Sequence, residues 1–162
     1  MLELLDRLRE DLPAMLDEPW SSLHIDYHPP VVDRLWKPWG DYRVYLHRIH
    51  PCAEGEALFH PHPWPSVMEV LHGKYEMAIG YGAGANPPPF AARMIVSGGN
   101  RYEMTTPDGW HYVRPIDSYA WTIMITGKPW SRWSPSSHKP LAALNPTTEQ
   151  VLLSWYRTMF SR

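Results

Sequence analysis

Leu58-Phe-His-Pro-His-Pro-Trp-Pro-Ser-Val-Met-Glu-Val-Leu-His-Gly-Lys-Tyr75 is the stretch on which the reading of this chain turns. Prolines follow His60, His62 and Trp64, and the residue before a proline is pushed out of the helical region into extended backbone. Side chains two apart on an extended strand share a face, with Cα atoms roughly 6.5 Å apart, so His60 and His62 can turn their imidazoles toward one point. Pro61, Pro63 and Pro65 remove every second backbone donor, which leaves N–H groups for pairing along one edge only. The segment is therefore an edge-like strand or a stiff extended arm, and a helix is excluded.

Outward from this arm the pattern is β. From Val31 onward, short runs rich in β-branched and aromatic residues are separated by Gly, Pro and Asn. They predict strands near Val32–Trp36, Tyr42–Ile49, Val67–Leu71, Tyr75–Tyr81, Ala91–Val96, Arg101–Thr105, Trp110–Pro115 and Ala120–Thr126. Gly73, the stretch from Gly80 to Pro89, Gly98-Gly99 and Asp108-Gly109 supply the turns. So many strands with no helix between them exclude a parallel α/β sheet and point to an antiparallel, double-layered barrel. Before it, leucines at three- and four-residue spacings from Leu2 to Leu16 predict an amphipathic helix with Pro13 inside it, and residues Glu18 to Pro30 read as connection. After Gly127 the chain is irregular until Asn145 caps a second helix with Pro146 in its first turn, striped by Val151, Leu152, Trp155, Met159 and Phe160. The expectation is one domain over residues 1–162: helix and connection to 30, barrel from 31 to 127, irregular segment and helix from 128.

Composition bounds the function. Fifteen basic and seventeen acidic residues, with neither sign gathered into blocks, give no electrostatic footprint for nucleic acid. No apolar run approaches membrane-spanning length, and the charged N-terminal segment does not read as a signal peptide. A single cysteine, Cys52, rules out an intramolecular disulfide and fits a reducing, cytoplasmic setting. Nine Trp, nine Tyr and nine His suit cores, interfaces and ligand pockets alike.

A second signal follows the first: Thr106-Pro-Asp-Gly-Trp-His-Tyr-Val-Arg-Pro115. Pro107-Asp108-Gly109 reads as a turn in which glycine accepts a positive φ, delivering His111 into the next strand. One histidine from a turn and two from a strand would form a facial three-nitrogen site with positions open for water, oxygen or substrate.

These two blocks resemble the motifs of the cupin superfamily. The first runs Gly55-Glu-Ala-Leu-Phe-His60-Pro-His62 and closes at Val70-Leu-His-Gly73; the second runs from Gly99 through Pro107-Asp-Gly109-Trp-His111. The likeness covers roughly Val31 to Thr126 and implies an all-β jelly-roll barrel, a double-stranded β-helix, with helices at both ends. The family's motif glutamate would fall at Ser66, a poor ligand. Glu69 is the nearest carboxylate, but in an unbroken strand it faces away from the histidines, and only a bulge between Pro63 and Ser66 would bring it in as a fourth ligand. Without that glutamate the chain looks like the three-histidine cupins, which include cysteine dioxygenase-like and diketone-cleaving dioxygenases that bind ferrous iron. The resemblance implies His60, His62 and His111 as ligands of one divalent metal, Fe(II) first, with Ni, Zn or Mn also suited. It implies a dioxygenase acting on a small organic molecule, and a homodimer whose partner edge is the Val31–Trp36 strand or the terminal helices. The alternative is a non-catalytic cupin that binds or senses a small ligand. A third reading makes the Trp-rich segment from Trp121 to Trp133 a contact surface.

Arg43, Tyr45 and His47 alternate along one strand face and are candidates for the barrel mouth; equally, that face is the solvent side and Val44 and Leu46 carry the core. Trp64 and Trp110, beside candidate ligands, would form an aromatic wall. Arg114 is read as lying on a different face from Tyr112, and His72 as an exposed turn residue.

Overall fold

The structure, a computed structural model, describes residues 1–161. Helix α1 (Glu3–Met15) is followed by β1 (Ser21–Ile25), β2 (Val32–Trp39), β3 (Tyr42–Ile49), β4 (His60–Pro61), β5 (Ser66–His72) and β6 (Lys74–Tyr81). Then come β7 (Phe90–Ser97), β8 (Arg101–Met104), β9 (Gly109–Pro115), β10 (Ala120–Thr126) and helix α2 (Pro146–Phe160). The strands form a six-stranded sheet in the order β1-β2-β3-β10-β5-β8 and a four-stranded sheet in the order β4-β9-β6-β7. Every pairing is antiparallel. Strand β4 lies at an edge of the smaller sheet, where the loss of alternate N–H donors to proline costs no ladder bond.

The sheets stack face to face. Val70 and Ala120 from the larger sheet pack with Tyr75, Met77 and Val96 from the smaller one, and Tyr45, Met68 and Met124 form a second interior cluster. The other face of the six-stranded sheet is covered by both helices: Leu8 and Leu12 of α1 and Leu152 and Tyr156 of α2 share a core with Leu35, Val44, Leu46, Val67, Ile123 and Ile125. β10 is consequently buried at every position, and its sequence is correspondingly apolar rather than alternating. β3 is covered on both sides as well. Val44 and Leu46 lie under the helices, while Tyr45 and His47 point between the sheets, so the two readings of that strand were not exclusive.

Turn chemistry fixes the corners. Gly73 has φ +80, and a Cβ there would meet the carbonyl oxygen of Tyr119 at 2.5 Å, so only glycine fits between β5 and β6. Gly109 differs from expectation: it is not among the glycines with positive φ, and a Cβ would meet the Thr106 oxygen at 3.2 Å, so its role is close approach. Asn145 caps α2 as its sequence predicts, accepting from the Thr148 N–H at 2.8 Å.

Other expectations are corrected. The segment read as connection contains β1, which pairs with β2, so the strand beginning at Val32 has neighbours on both sides and offers no free edge for a partner. On α2 the buried residues are Leu152 and Tyr156, whereas Val151 and Met159 are exposed. Of the segment read as a contact surface, Trp121 is buried against Trp155, ring centroids 4.2 Å apart, whereas Trp133 at its other end is 57% exposed. Tyr112 and Arg114 share a face, since both reach Glu76. No helix among the described residues is long and apolar enough to cross a membrane.

Candidate metal centre

β4 and β9 pair with His60 opposite His111, and the arm continues so that the His62 N–H donates to the Gly109 oxygen at 3.1 Å. This pairing sets the three imidazoles side by side. The ring centroids of His60 and His111 are 4.9 Å apart, and those of His62 and His111 are 4.8 Å apart. An imidazole bound at about 2.1 Å puts its centroid about 3.2 Å from an ion, so rings meeting at 90–110° lie about 4.5 to 5.2 Å apart. Both measured separations fall in that range. Among the described residues, no three His, Cys, Asp or Glu side chains are drawn together tightly enough to hold an ion as they stand.

The hydrogen bonds prepare the rings for a lone-pair role. His60 Nδ1 lies 2.9 Å from the Leu58 carbonyl oxygen and His62 Nδ1 lies 3.1 Å from that of Trp64. A carbonyl only accepts, so in both rings Nδ1 carries the proton and Nε2 keeps its lone pair, the second-sphere arrangement that orients metal-binding histidines. Ser66, the position where a carboxylate was sought, places Oγ 3.1 Å from His62 Nδ1 and steadies that ring. His111 leaves Nδ1 buried with no partner, an orphaned polar atom in an otherwise satisfied wall. Burial, the dominant influence, pushes His60 and His62 down to about 4 and His111 well below its ordinary value, so all three are neutral at pH 7. Neutral imidazoles with free nitrogens are a donor set that fits a divalent transition metal.

Glu69 is a correction. It is buried but faces α1, pairing with Arg9 of that helix and with Arg101 Nε of β8 at 3.3 Å. Ser66 faces His62, and β5 pairs with β8 without a register break from Ser66 to Glu69, so Glu69, three residues on, takes the opposite face and cannot reach the histidines. Trp110 is also displaced: it is buried beside Phe59, on the opposite side of β9 from His111, with Nε1 donating to the Gly82 oxygen at 2.8 Å. Arg43 is exposed and stacks over Trp36, outside the cavity. His47 and Trp64 do line the cavity, and Tyr45 lies behind His47 with ring centroids 5.9 Å apart.

No family model matches the sequence, and no curated protein matches it significantly. Solved structures do. Hydroxypropylphosphonic acid epoxidase from S. wedmorenis superposes with a TM-score of 0.50 over 66% of this chain and 55% of that one, at 17% identity. CapF, solved with the inhibitor 3-isopropenyl-tropolone, gives 0.50 over 69% of this chain and 32% of that one, at 16% identity. The fold is that of the cupins. The chain spans about half the length of the epoxidase, and the likeness concerns the barrel architecture.

Within the cupin barrel the histidines line a cavity of ≈ 190 Å³. His28, His47, His60, His62 and His111, five of the chain's nine histidines, face it. Two of its polar residues were not singled out from sequence. His28 sits in the segment read as connection, its ring 5.9 Å from that of His60. Arg34, from β2, donates through Nε to His47 Nε2 at 3.0 Å. The cue for Arg34 was present but inverted: an arginine alternating with Leu35 reads as the solvent side of a strand, and only the closing of the second sheet makes that side interior.

Proposed function

We propose that this cupin is a mononuclear metal protein holding a divalent ion, ferrous iron first, through His60, His62 and His111, and that it acts as a dioxygenase on a small organic molecule. The observation that carries this is the pairing of free Nε2 nitrogens with Nδ1 groups tied back to carbonyls in His60 and His62. When bound, the metal supplies Lewis acidity and the electron that lets an organic substrate react with dioxygen. The chain's own residues supply the rest. Ser66 and the Leu58 and Trp64 carbonyls fix the rings, while Met68, Met124 and Val113 give the cavity an apolar side. No carboxylate lines the cavity among the described residues, so general acid–base work by Asp or Glu has no part in the scheme.

The test is metal analysis of protein purified without chelators, with oxygen uptake measured over a panel of small substrates. Near-stoichiometric iron, nickel, zinc or manganese that disappears in His60→Ala, His62→Ala and His111→Ala supports the metal centre, and substrate-dependent oxygen uptake supports the dioxygenase. Absence of metal together with retained small-molecule binding would establish the second reading, a ligand-binding cup, which is favoured by the rings not being closed around a point. We also propose that the protein works in the cytoplasm and pairs as a homodimer through a free outer strand, β7 or β8, or through the terminal helices; light scattering at twice the mass of the chain is the expected result for the dimer.

A further inference from the structure

Strands β1, β8, β4 and β7 end the two sheets, and the first three have closed or blunted edges. The His24 N–H of β1 donates to the Ala142 oxygen at 2.8 Å. β4 is two residues long, and Pro61 and Pro63 take donors from its arm. β8 has four residues, and its charges are engaged: Arg101 donates to Asp6 Oδ1 at 2.7 Å, and Glu103 accepts from the N-terminal amino group at 2.9 Å. β7 is different. It runs eight residues, Phe90-Ala-Ala-Arg-Met-Ile-Val-Ser97, pairs with β6 alone and contains no Pro, Lys or acidic residue, the usual means of blunting an edge. Phe90, Met94 and Ile95 are 43%, 39% and 57% exposed.

The hydrogen bonds show which groups of β7 point outward. The Gly98 N–H donates to the Gly73 oxygen at 3.0 Å, one rung beyond the Lys74–Ser97 pair. Bonded rungs alternate in an antiparallel ladder, so Val96, Met94 and Ala92 turn their backbone groups to β6, and Ser97, Ile95, Arg93 and Ala91 turn theirs away. Ser97 agrees with this parity, since Asn100 engages its outward groups: the Ser97 N–H donates to Asn100 Oδ1, and the Asn100 N–H donates to the Ser97 oxygen, both at 2.9 Å. Ala91, Arg93 and Ile95 are left with no backbone partner among the described residues.

Two-fold pairing of this edge with itself has few registers. Centred on Arg93 it sets two like charges directly opposite, which is unfavourable. Centred on Met94, Arg93 lies opposite the partner's Ile95 and Ile95 opposite the partner's Arg93, each pair exchanging two backbone hydrogen bonds. The Arg93 guanidinium carbon lies 4.6 Å from the Phe90 ring centroid, so each charge leans away from that axis. Met94, opposite Met77 in the ladder, would meet the partner's Met94 and prolong the apolar row from a buried residue into a covered one.

We propose that β7 binds β7 of a second copy antiparallel about a two-fold axis at Met94, joining the two four-stranded sheets into one. This seam rests on the homodimer proposed above, which it locates, and is independent of the metal.

The test is light scattering of the full chain at micromolar concentration, with twice the chain mass expected for the parent protein. Ile95→Pro removes an outward donor that β6 does not use, and the dissociation constant is expected to rise by about thirtyfold or more; Ile95→Lys, which keeps the backbone donor, moves it in the same direction. In a Cys52→Ser background, Met94→Cys is expected to cross-link into dimers with diamide, because opposite residues of a non-bonded rung have Cα atoms about 4.5 Å apart. Arg93→Cys, diagonal to its counterpart, is expected to remain unlinked. A monomeric parent protein overturns the seam together with the homodimer. A dimer untouched by both Ile95 variants overturns the seam and leaves the homodimer to β8 or the helices. Cross-linking through Arg93→Cys and not through Met94→Cys overturns the register.

Discussion

The two faces of the six-stranded sheet carry similar charged side chains and treat them in opposite ways. Asp33 and Arg34 are neighbours in β2 and so point to opposite faces. On the helix-covered face, Asp33 is 2% exposed and is met by Arg48 at 3.0 and 2.7 Å, His24 at 2.8 Å and His50 at 2.6 Å. These partners come from β1, from β3 and from the residue after it, so one carboxylate fastens three consecutive strands. Glu69 on the same face is held between Arg9 and Arg101. On the cavity face Arg34 meets only an imidazole and an aromatic ring. A charge whose partners are all in the chain contributes to the fold, whereas the half-buried Arg34 keeps no carboxylate partner among the described residues, and that difference separates the two faces.

Substitutions on the two faces should break or sharpen that contrast. The largest effect is expected for Asp33→Ala, which strands Arg48 and two histidines around an empty position. A loss of about 3 to 5 kcal/mol in denaturant unfolding is expected, with metal content unchanged where the protein remains folded. Acid separates the same contribution. Burial alone would raise the Asp33 pKa, but hydrogen bonds from His50, Arg48 and His24 outweigh it and hold the carboxyl far below the usual range. Its stabilisation is therefore complete above the ordinary carboxylate value of about 4 and is lost as pH falls below it. The stability gap between the parent protein and Asp33→Asn should close in that acid range.

Glu69→Gln comes next, with about 2 kcal/mol lost and bound metal undiminished; a drop in metal content without unfolding would restore Glu69 as a ligand. Tyr156→Phe removes the hydroxyl that lies 2.9 Å from the His47 oxygen and 2.7 Å from that of Thr122, and should cost about 1 to 1.5 kcal/mol in thermal or denaturant melts. The smallest change is expected for Arg34→Met, within about 1 kcal/mol of the parent and toward greater stability, because a desolvated cation is replaced by an apolar chain. A large loss of stability there would make Arg34 part of the scaffold.

Much of this was legible in the sequence because it depends on local rules. Proline after each of His60, His62 and Trp64 fixed extended backbone; alternation placed the strands; Asn145-Pro146 marked the start of α2. The parity argument that turned Glu69 away from the histidines also holds, since β5 pairs without a break from Ser66 to Glu69 and its one register shift, against β10, comes later, at Leu71. What could not be read depends on which strand face a later element covers. β3 was ambiguous because helices close one side and a sheet the other. Arg34 and Trp110 exchanged places for the same reason: the charged residue faces inward and the aromatic one lies off the cavity. β1 is a short strand with polar residues, and it exists because β2 offers it an edge.

β10 has no free side. Thr122 and Met124 belong to the chamber, whereas Trp121, Ile123 and Ile125 belong to the packing beneath the helices, and the two sets are interleaved residue by residue. Interiors this dense transmit small displacements, so trimming a methyl group under α2 would shift the chamber wall by a fraction of an ångström. Selectivity in this molecule can therefore drift, or be engineered, from positions that no ligand ever touches.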